Sequence, residues 1–208
     1  PLLGALERPW LALDRLVERA LPEALNPFAQ TGAVANTAFL VAIVSGIVLL
    51  LWYVPAVHDA YPSLERLRAQ WWGGELVRSL HRYSSDGCIV FVLLHAWRYF
   101  AAKRFGGPRW LAWVTGIFGV FTIWLVGWLG YWLVWDEAAR GVALSTAKML
   151  DVLPIFADPL SRSFLTDAGL NSLLFFVVFF LHMLIPLPIA IALWLHITRL
   201  SRPRFLVS

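Results

Sequence analysis

The sequence contains little cysteine and little charge. Its single cysteine, Cys88, excludes a disulfide framework within the chain. Charged residues make up 14% of the 208 residues, whereas 60% are hydrophobic, which is above the roughly half that is usual in a soluble domain. No secretory signal pattern stands at the start, and because the sequence begins at Pro1 we expect an initiator residue or short leader before it. The composition therefore predicts a membrane protein.

Four segments are long enough and apolar enough to cross a bilayer, which takes ~20 residues. They run from about 36 to 54, 76 to 101, 110 to 135 and 168 to 198. Backbone groups within lipid must find hydrogen-bond partners inside the protein, which favours helices. We therefore predict an all-α fold, a transmembrane four-helix bundle over residues 36–199, with a kink at Pro186 in the fourth span.

The segments that flank the spans are predicted to lie at the membrane surfaces. Within residues 1–35, residues 6–20 place apolar side chains along one helical stripe, with charged residues on the rest. This pattern is typical of an amphipathic helix on a membrane surface; a helix packed on a partner subunit is the alternative. The long loop over 136–167 predicts a short helix on the outer surface, and residues 200–208 form a cytoplasmic tail.

The basic residues indicate the orientation of the chain. Ten of the 17 Lys and Arg residues lie before the first span, from the last turn of the second span to the start of the third, or after the fourth. Cytoplasmic loops carry an excess of such residues. We therefore predict that both termini are cytoplasmic, in a bacterial-type inner membrane.

Four of the five histidines form two pairs with one spacing. His81 and His95 are 14 residues apart, and so are His182 and His196. Fourteen residues of α-helix rise roughly 21 Å and turn about 40° short of four full turns, so each helix presents two imidazoles on nearly one face at two depths. His58 stands in an outer loop without such a partner, and an ordinary exposed histidine is predicted there.

The equal spacing predicts two bis-histidine sites, one at each depth. His81 then faces His182 and His95 faces His196, because the other pairing would have to span about 20 Å. The cofactor that takes two axial imidazoles in an apolar slot is haem. We predict two haem b groups, held non-covalently because the sequence has no Cys-x-x-Cys-His run.

Two pairs of glycines repeat the interval of 14 residues, Gly32 with Gly46 and Gly116 with Gly130. We interpret them as positions where the edge of the porphyrin passes close to a helix, since glycine permits close approach. Tight helix packing through small residues is the alternative.

Three arginines lie next to the paired histidines. Arg78 and Arg82 flank His81, and Arg98 follows His95 by three residues. Guanidinium groups are good partners for the carboxylates of haem propionates. On the alternative interpretation these arginines mark the edges of the membrane.

These residues resemble the N-terminal, four-helix dihaem part of the cytochrome b family of quinol-oxidising complexes, in particular cytochrome b6. The segments that carry the resemblance are SGIVLLLWYVP (45–55), GGELVRSLHRYSS with LLHAWRYF (73–100), GYWLVWDE (130–137) and LHMLIPLPIAIALWLH (181–196). The resemblance implies electron transfer from a quinol through both haems to a quinone. It implies that His81 and His182 hold the low-potential haem, and His95 and His196 the high-potential one.

The sequence also departs from the family pattern. Val134 stands where the family has a proline after the third helix, and Ser201 stands where relatives have histidine or arginine near the inner quinone. Cys88 lies in the second span rather than near the first, so we predict no covalently attached third haem. The family's Pro-Glu-Trp-Tyr segment belongs to later helices, which we expect a separate subunit to supply.

The leading hypothesis is a dihaem b-type redox subunit, rather than a whole enzyme, that exchanges electrons with quinone in a membrane complex. The expected partners are membrane lipid and a Rieske-type protein, a three-helix b-family subunit or a cytochrome c, with a homodimer left open and no nucleic acid. One rival keeps the haems but makes the chain a membrane anchor for an extrinsic metal-containing oxidoreductase. A second rival is a proton channel with a histidine relay.

Overall fold

The computed structural model describes residues 2–154, 158–164 and 172–200, and within them the chain is all-α. Its α-helices are α1 (Leu2–Val17), α2 (Thr31–Leu49), α3 (Ala60–Arg68), α4 (Gly74–Ala101), α5 (Trp110–Trp132), α6 (Glu137–Leu150), α7 (Ser172–Leu184) and α8 (Pro186–Leu195). Short 3₁₀ turns cover Glu23–Leu25, Gly107–Arg109 and Leu160–Phe164, and a π-helical turn covers His196–Leu200.

The four predicted spans correspond to long helices. The first span is α2, the second is α4 with 28 residues, and the third is α5 with 23 residues. The fourth is divided at Ile185 into α7 and α8, directly before Pro186, where the sequence predicted a kink. Proline cannot donate the helical hydrogen bond, but it fits the first position of a new helix. The predicted start of the fourth span, 168–171, lies outside the described residues.

Three helical segments of the described part are long and apolar enough to cross a membrane: Thr31–Leu49, Gly107–Trp132 and Phe175–Leu200. α4 has sufficient length, but Arg78, Arg82 and Asp86 in its first half lower its mean hydropathy. Ionisable residues within such a helix are expensive in lipid and are functional candidates for that reason. The three apolar segments make the chain an integral membrane protein.

The surface helices differ in how well they were predicted. α1 spans Leu2–Val17, so the predicted amphipathic helix begins and ends earlier than residues 6–20. The short helix predicted in the long outer loop is α6. The Asp136 carboxylate caps α6 by accepting a hydrogen bond from the Ala139 amide at 2.8 Å.

The helix α3, which spans Ala60–Arg68, was not predicted from the sequence. Its buried residues are Ala60, Ser63, Leu64 and Leu67, which follow the i, i+3, i+4, i+7 pattern of one helical face. The signal was present but short, and the proline at position 62 and the serine at 63 weakened it. Ser63 is buried because its hydroxyl donates to the Ala60 carbonyl and accepts from the Val54 amide.

The chain divides into two compact units. The first unit comprises residues 1–43, 81–124 and 187–208, and the second comprises 44–80 and 125–186. The first unit therefore contains three of the paired histidines, and the second contains His182. This division runs across the predicted domain of residues 36–199.

Each unit has its own buried side chains. In the first unit these include Phe39, Cys88 and Ile189. The core of the second unit comprises Val57, Ala60, Trp132, Leu133, Trp135, Ala143 and Phe175. Beside that core, the Tyr53 hydroxyl donates a 2.7 Å hydrogen bond to the Leu133 carbonyl. This bond ties the chain after α2 to the end of α5.

Candidate functional site

Two of the paired histidines contact main-chain carbonyl oxygens of a neighbouring helix. In the first unit, Nδ1 of His81 lies 2.8 Å from the Ala42 carbonyl oxygen. In the second unit, Nδ1 of His182 lies 3.0 Å from the Val126 carbonyl oxygen. A carbonyl can only accept, so Nδ1 carries the proton and donates in both cases. The other ring nitrogen, Nε2, then has the lone pair that a metal requires.

The other two histidines contact threonine hydroxyls, and both contacts lie in the first unit. The Thr31 hydroxyl is 3.4 Å from Nδ1 of His95, and the Thr115 hydroxyl is 3.4 Å from Nδ1 of His196. His95 and His196 lie in the same unit, each beside a threonine hydroxyl. Their pairing at one haem stays a prediction.

His196 occupies a distinctive position in the backbone. It is the first residue of the π-helical turn over His196–Leu200, directly after α8 ends at Leu195. Such turns are rare, and those that occur are often found at functional sites.

Glycines on the neighbouring helices lie directly against three of the four imidazoles. A Cβ placed on Gly130 would be 2.6 Å from Cε1 of His182, and one on Gly32 would be 2.9 Å from Cε1 of His95. The corresponding distance from Gly116 to His196 is 3.4 Å. These glycines therefore leave room for the imidazoles. Their closeness to the edge of a porphyrin stays a prediction.

The contacts to the histidines repeat along the chain with a constant offset. The helices α2 and α5 carry the same series of residues. A threonine is followed directly by a glycine, and further along the helix a main-chain carbonyl accepts a hydrogen bond from a histidine. Four residues after that carbonyl there is a second glycine. The residues are Thr31, Gly32, Ala42 and Gly46 in α2, and Thr115, Gly116, Val126 and Gly130 in α5. Corresponding positions differ by 84 residues throughout. Gly46, which is half-buried in α2, therefore matches Gly130 by position.

The three arginines predicted to bind propionates have different surroundings. Arg98 makes a two-pronged salt bridge to Asp14, at 3.0 and 2.6 Å, and donates to the Phe28 carbonyl at 2.7 Å. Arg82 is exposed and lies 5.9 Å from the ring centre of Tyr83, and Arg78 is half-buried. The role of these arginines toward a propionate stays a prediction.

Two residues beside Arg98 were not predicted from the sequence. They are Asp14, which lies in α1, and Asn26. Asp14 is 8% exposed and Asn26 is fully buried, and the Asn26 amide donates to the Asp14 carboxylate at 3.4 Å. Trp10 adds a cation–π contact, with its ring centre 5.8 Å from the Arg98 guanidinium carbon. A signal for Asp14 existed, because it continues the apolar stripe of α1 at one turn after Trp10.

His58 lies apart from the paired histidines. It is exposed and lines an open cavity of about 590 Å³ in the second unit. The other lining residues are Val57, Tyr61, Pro62, Trp135, Asp136, Glu137, Ala138 and Arg140. The lining includes none of the four paired histidines, which agrees with the prediction of an ordinary exposed histidine.

The described residues do not offer a site for a bare metal ion. No group of three or more His, Cys, Asp or Glu side chains within them is placed to hold one. Two imidazoles can instead complete the coordination of an iron already held by four porphyrin nitrogens. The ligand chemistry therefore fits haem better than a structural zinc or a hard cation.

Two comparisons with known proteins concern the family and the fold of the chain. The model of the family described as cytochrome b/b6/petB matches residues 16–203. A solved structure described as "Hyperthermophilic respiratory Complex III" contains a similar chain, with a TM-score of 0.68 and 24% sequence identity. The match covers 80% of this chain and 45% of that one, so the chain spans less than half of the length of that relative.

Proposed function

Because the chain belongs to the cytochrome b family, whose model matches residues 16–203, we propose that it is a dihaem electron-transfer subunit. It carries electrons across the membrane between a quinol and a quinone, as part of a respiratory complex. The strongest support is a contact that all four paired histidines share. Nδ1 of each of the four contacts an oxygen of a neighbouring helix, which suits Nε2 for iron.

His95 and His196 would hold one haem b, and His81 and His182 the other. The first assignment is supported by the similar surroundings of His95 and His196, which lie in one unit with Nδ1 3.4 Å from a threonine hydroxyl. The second is supported by the equal spacing of the two pairs in the sequence. Haem supplies a one-electron iron couple whose potential depends on the axial ligands and their hydrogen bonds.

The chain's own residues would orient the ligands and keep water away. Because glycine has no side chain, the glycines at 32, 116 and 130 leave space for the imidazoles of His95, His196 and His182. The apolar surfaces of α2, α5, α7 and α8 provide a dry surrounding, where a fixed hydrogen bond has a larger effect on the ligand than in water.

The partners follow from the family. A Rieske-type protein, a three-helix subunit of the same family or a cytochrome c would complete the complex, with both termini of this chain in the cytoplasm of a bacterium. The resemblance to a chain of a respiratory complex III supports such an assembly. The alternative, a membrane anchor for an extrinsic oxidoreductase, has Val134 in its favour, since it replaces the family's proline.

The test begins with the optical spectrum of the purified protein in mild detergent. We expect b-type bands in the reduced-minus-oxidised spectrum and two haems per chain. His95→Ala and His196→Ala should each lower the content to one haem, because an apolar slot with a single imidazole binds haem weakly. His58→Ala is the matched control and should retain two.

The outcomes separate the alternatives. A purified chain without haem would exclude electron transfer and favour the histidine-relay channel. Two haems together with a copurifying Rieske-type protein support the proposed function. Two haems with a molybdenum or iron–sulfur oxidoreductase, and no Rieske-type protein, would support the membrane anchor instead.

A further inference from the structure

The orientation of the Thr115 hydroxyl is fixed by a hydrogen bond within its own helix. It donates a 2.8 Å hydrogen bond to the Leu111 carbonyl, four residues earlier in α5, a common bond for threonine in helices. A hydroxyl whose proton is engaged in this way can only accept from another donor. It therefore accepts from Nδ1–H of His196, at 3.4 Å.

Thr31 occupies the equivalent place in α2. It is the first residue of that helix, is 2% exposed, and lies 3.4 Å from Nδ1 of His95. Each threonine directly precedes the glycine that packs on the same imidazole, Gly32 or Gly116. A threonine followed by a glycine therefore contacts each histidine. Thr31 and Gly32 of α2 contact His95, and Thr115 and Gly116 of α5 contact His196.

We propose that Thr115 and Thr31 are positioning residues that fix the tautomer of His196 and His95 and tune the iron that these histidines bind. This inference rests on the proposed function. An acceptor on Nδ1–H raises the electron donation of the imidazole through Nε2, which favours ferric over ferrous iron. Loss of the acceptor should therefore raise the reduction potential of that haem alone.

The experiment compares variants of the purified haem-loaded protein. Thr115→Val removes the hydroxyl and keeps the shape, and Thr115→Ser keeps the hydroxyl. The matched control is Thr122→Val, because Thr122 lies in the same helix and donates to the Phe118 carbonyl at 2.8 Å in the same way. The midpoint potential of each haem is measured optically, and the iron–imidazole geometry is followed by low-temperature electron paramagnetic resonance.

We expect Thr115→Val to raise the midpoint potential of one haem and to change its resonance, while the other haem is unchanged. Thr31→Val should act on the same haem. Thr115→Ser and Thr122→Val should both match the unmodified protein. If Thr115→Val abolishes binding of that haem, retention of the haem by Thr115→Ser still supports the role of the hydroxyl.

Three results would overturn the inference. One is an unchanged potential and resonance in Thr115→Val. Another is an equal shift in Thr122→Val, and the third is a Thr115→Ser variant that behaves like Thr115→Val. In each of these cases two haems in the unmodified protein leave the proposed function standing, whereas an unmodified protein without haem removes both.

Discussion

The four histidines fall into two kinds according to the oxygen that each one contacts. His81 and His182 donate to main-chain carbonyls at 2.8 and 3.0 Å, whereas His95 and His196 lie 3.4 Å from threonine hydroxyls. The carbonyl bond is shorter and therefore stronger. A carbonyl is also present whatever side chain its residue carries, while a hydroxyl is lost in a single substitution.

This difference indicates which of the four histidine contacts a single substitution can remove. The hydrogen-bond acceptor of each carbonyl-bound histidine is a backbone atom, which a substitution does not remove. The acceptor of each threonine-bound histidine belongs to a side chain. We therefore expect a substitution of the accepting residue to change the hydrogen bond only at the second kind of histidine, whereas both kinds depend on the glycine beside them.

The largest effect is expected at a position that both kinds of histidine share, the adjacent glycine. In Gly130→Ala the new Cβ would lie 2.6 Å from Cε1 of His182, closer than real contacts allow. The imidazole cannot simply move, because its Nδ1 is bonded to Val126 and its Nε2 would hold iron. We expect a cost of about 1–3 kcal/mol and loss of one haem, measured as haem per chain. Gly119→Ala, in the same helix with open space at its Cβ, is the control.

The glycines beside the threonine-bound histidines provide a graded series. The corresponding distances are 2.9 Å for Gly32 and 3.4 Å for Gly116. Gly32→Ala should therefore lower the haem content less than Gly130→Ala, and Gly116→Ala least of all. An equal loss of haem in all three variants, or a loss in Gly119→Ala as well, would show that helix propensity or general packing is responsible.

A smaller effect is expected one turn beyond His95, where Arg98 joins α1 to α4. The side chains of Asp14 and Arg98 are 11% and 23% exposed, so Asp14→Ala leaves a mostly buried guanidinium without its carboxylate. We expect a loss of about 2 kcal/mol, below the ~3–5 kcal/mol of a fully buried pair. Thermal unfolding of the detergent-solubilised protein measures it.

The control for Asp14→Ala is an exposed ion pair. Glu65 and Arg68 lie on the surface of α3 at 3.1 Å, with more than two fifths of each side chain exposed. Glu65→Ala should leave the unfolding temperature unchanged, since exposed pairs contribute little. If Asp14→Ala also leaves the unfolding temperature unchanged, α1 is not anchored through Arg98.

The sequence was sufficient to locate the spans and the paired histidines, because lipid enforces helices and the helical period is fixed. The break at Pro186 followed from the missing amide of proline. The glycine interval was also visible in the sequence, but the contacts of these glycines with the imidazoles were not. The spacing of residues along a helix indicates which of them share a face. It does not indicate which atom of the neighbouring helix lies opposite that face.

The partner of Arg98 could not be predicted in the same way. Asp14 is 84 residues away in the sequence, and no local period relates the two residues. Which carboxylate a guanidinium finds depends on how α1 packs, and a short surface helix has few constraints of its own. The helix α3 was missed for a related reason, since nine residues with one proline give a weak periodic signal.

The smallest effect is expected at the carbonyl that supports His182. Val126→Ala shortens the side chain but keeps the main-chain oxygen that accepts from Nδ1. The hydrogen bond and the tautomer should persist, so the midpoint potentials and the resonance of both haems should match the unmodified protein. Thr115→Val, measured in parallel, is the matched change on the threonine side. A shift in Val126→Ala as large as that in Thr115→Val would mean that side-chain packing, and not the identity of the accepting oxygen, distinguishes the two kinds of histidine.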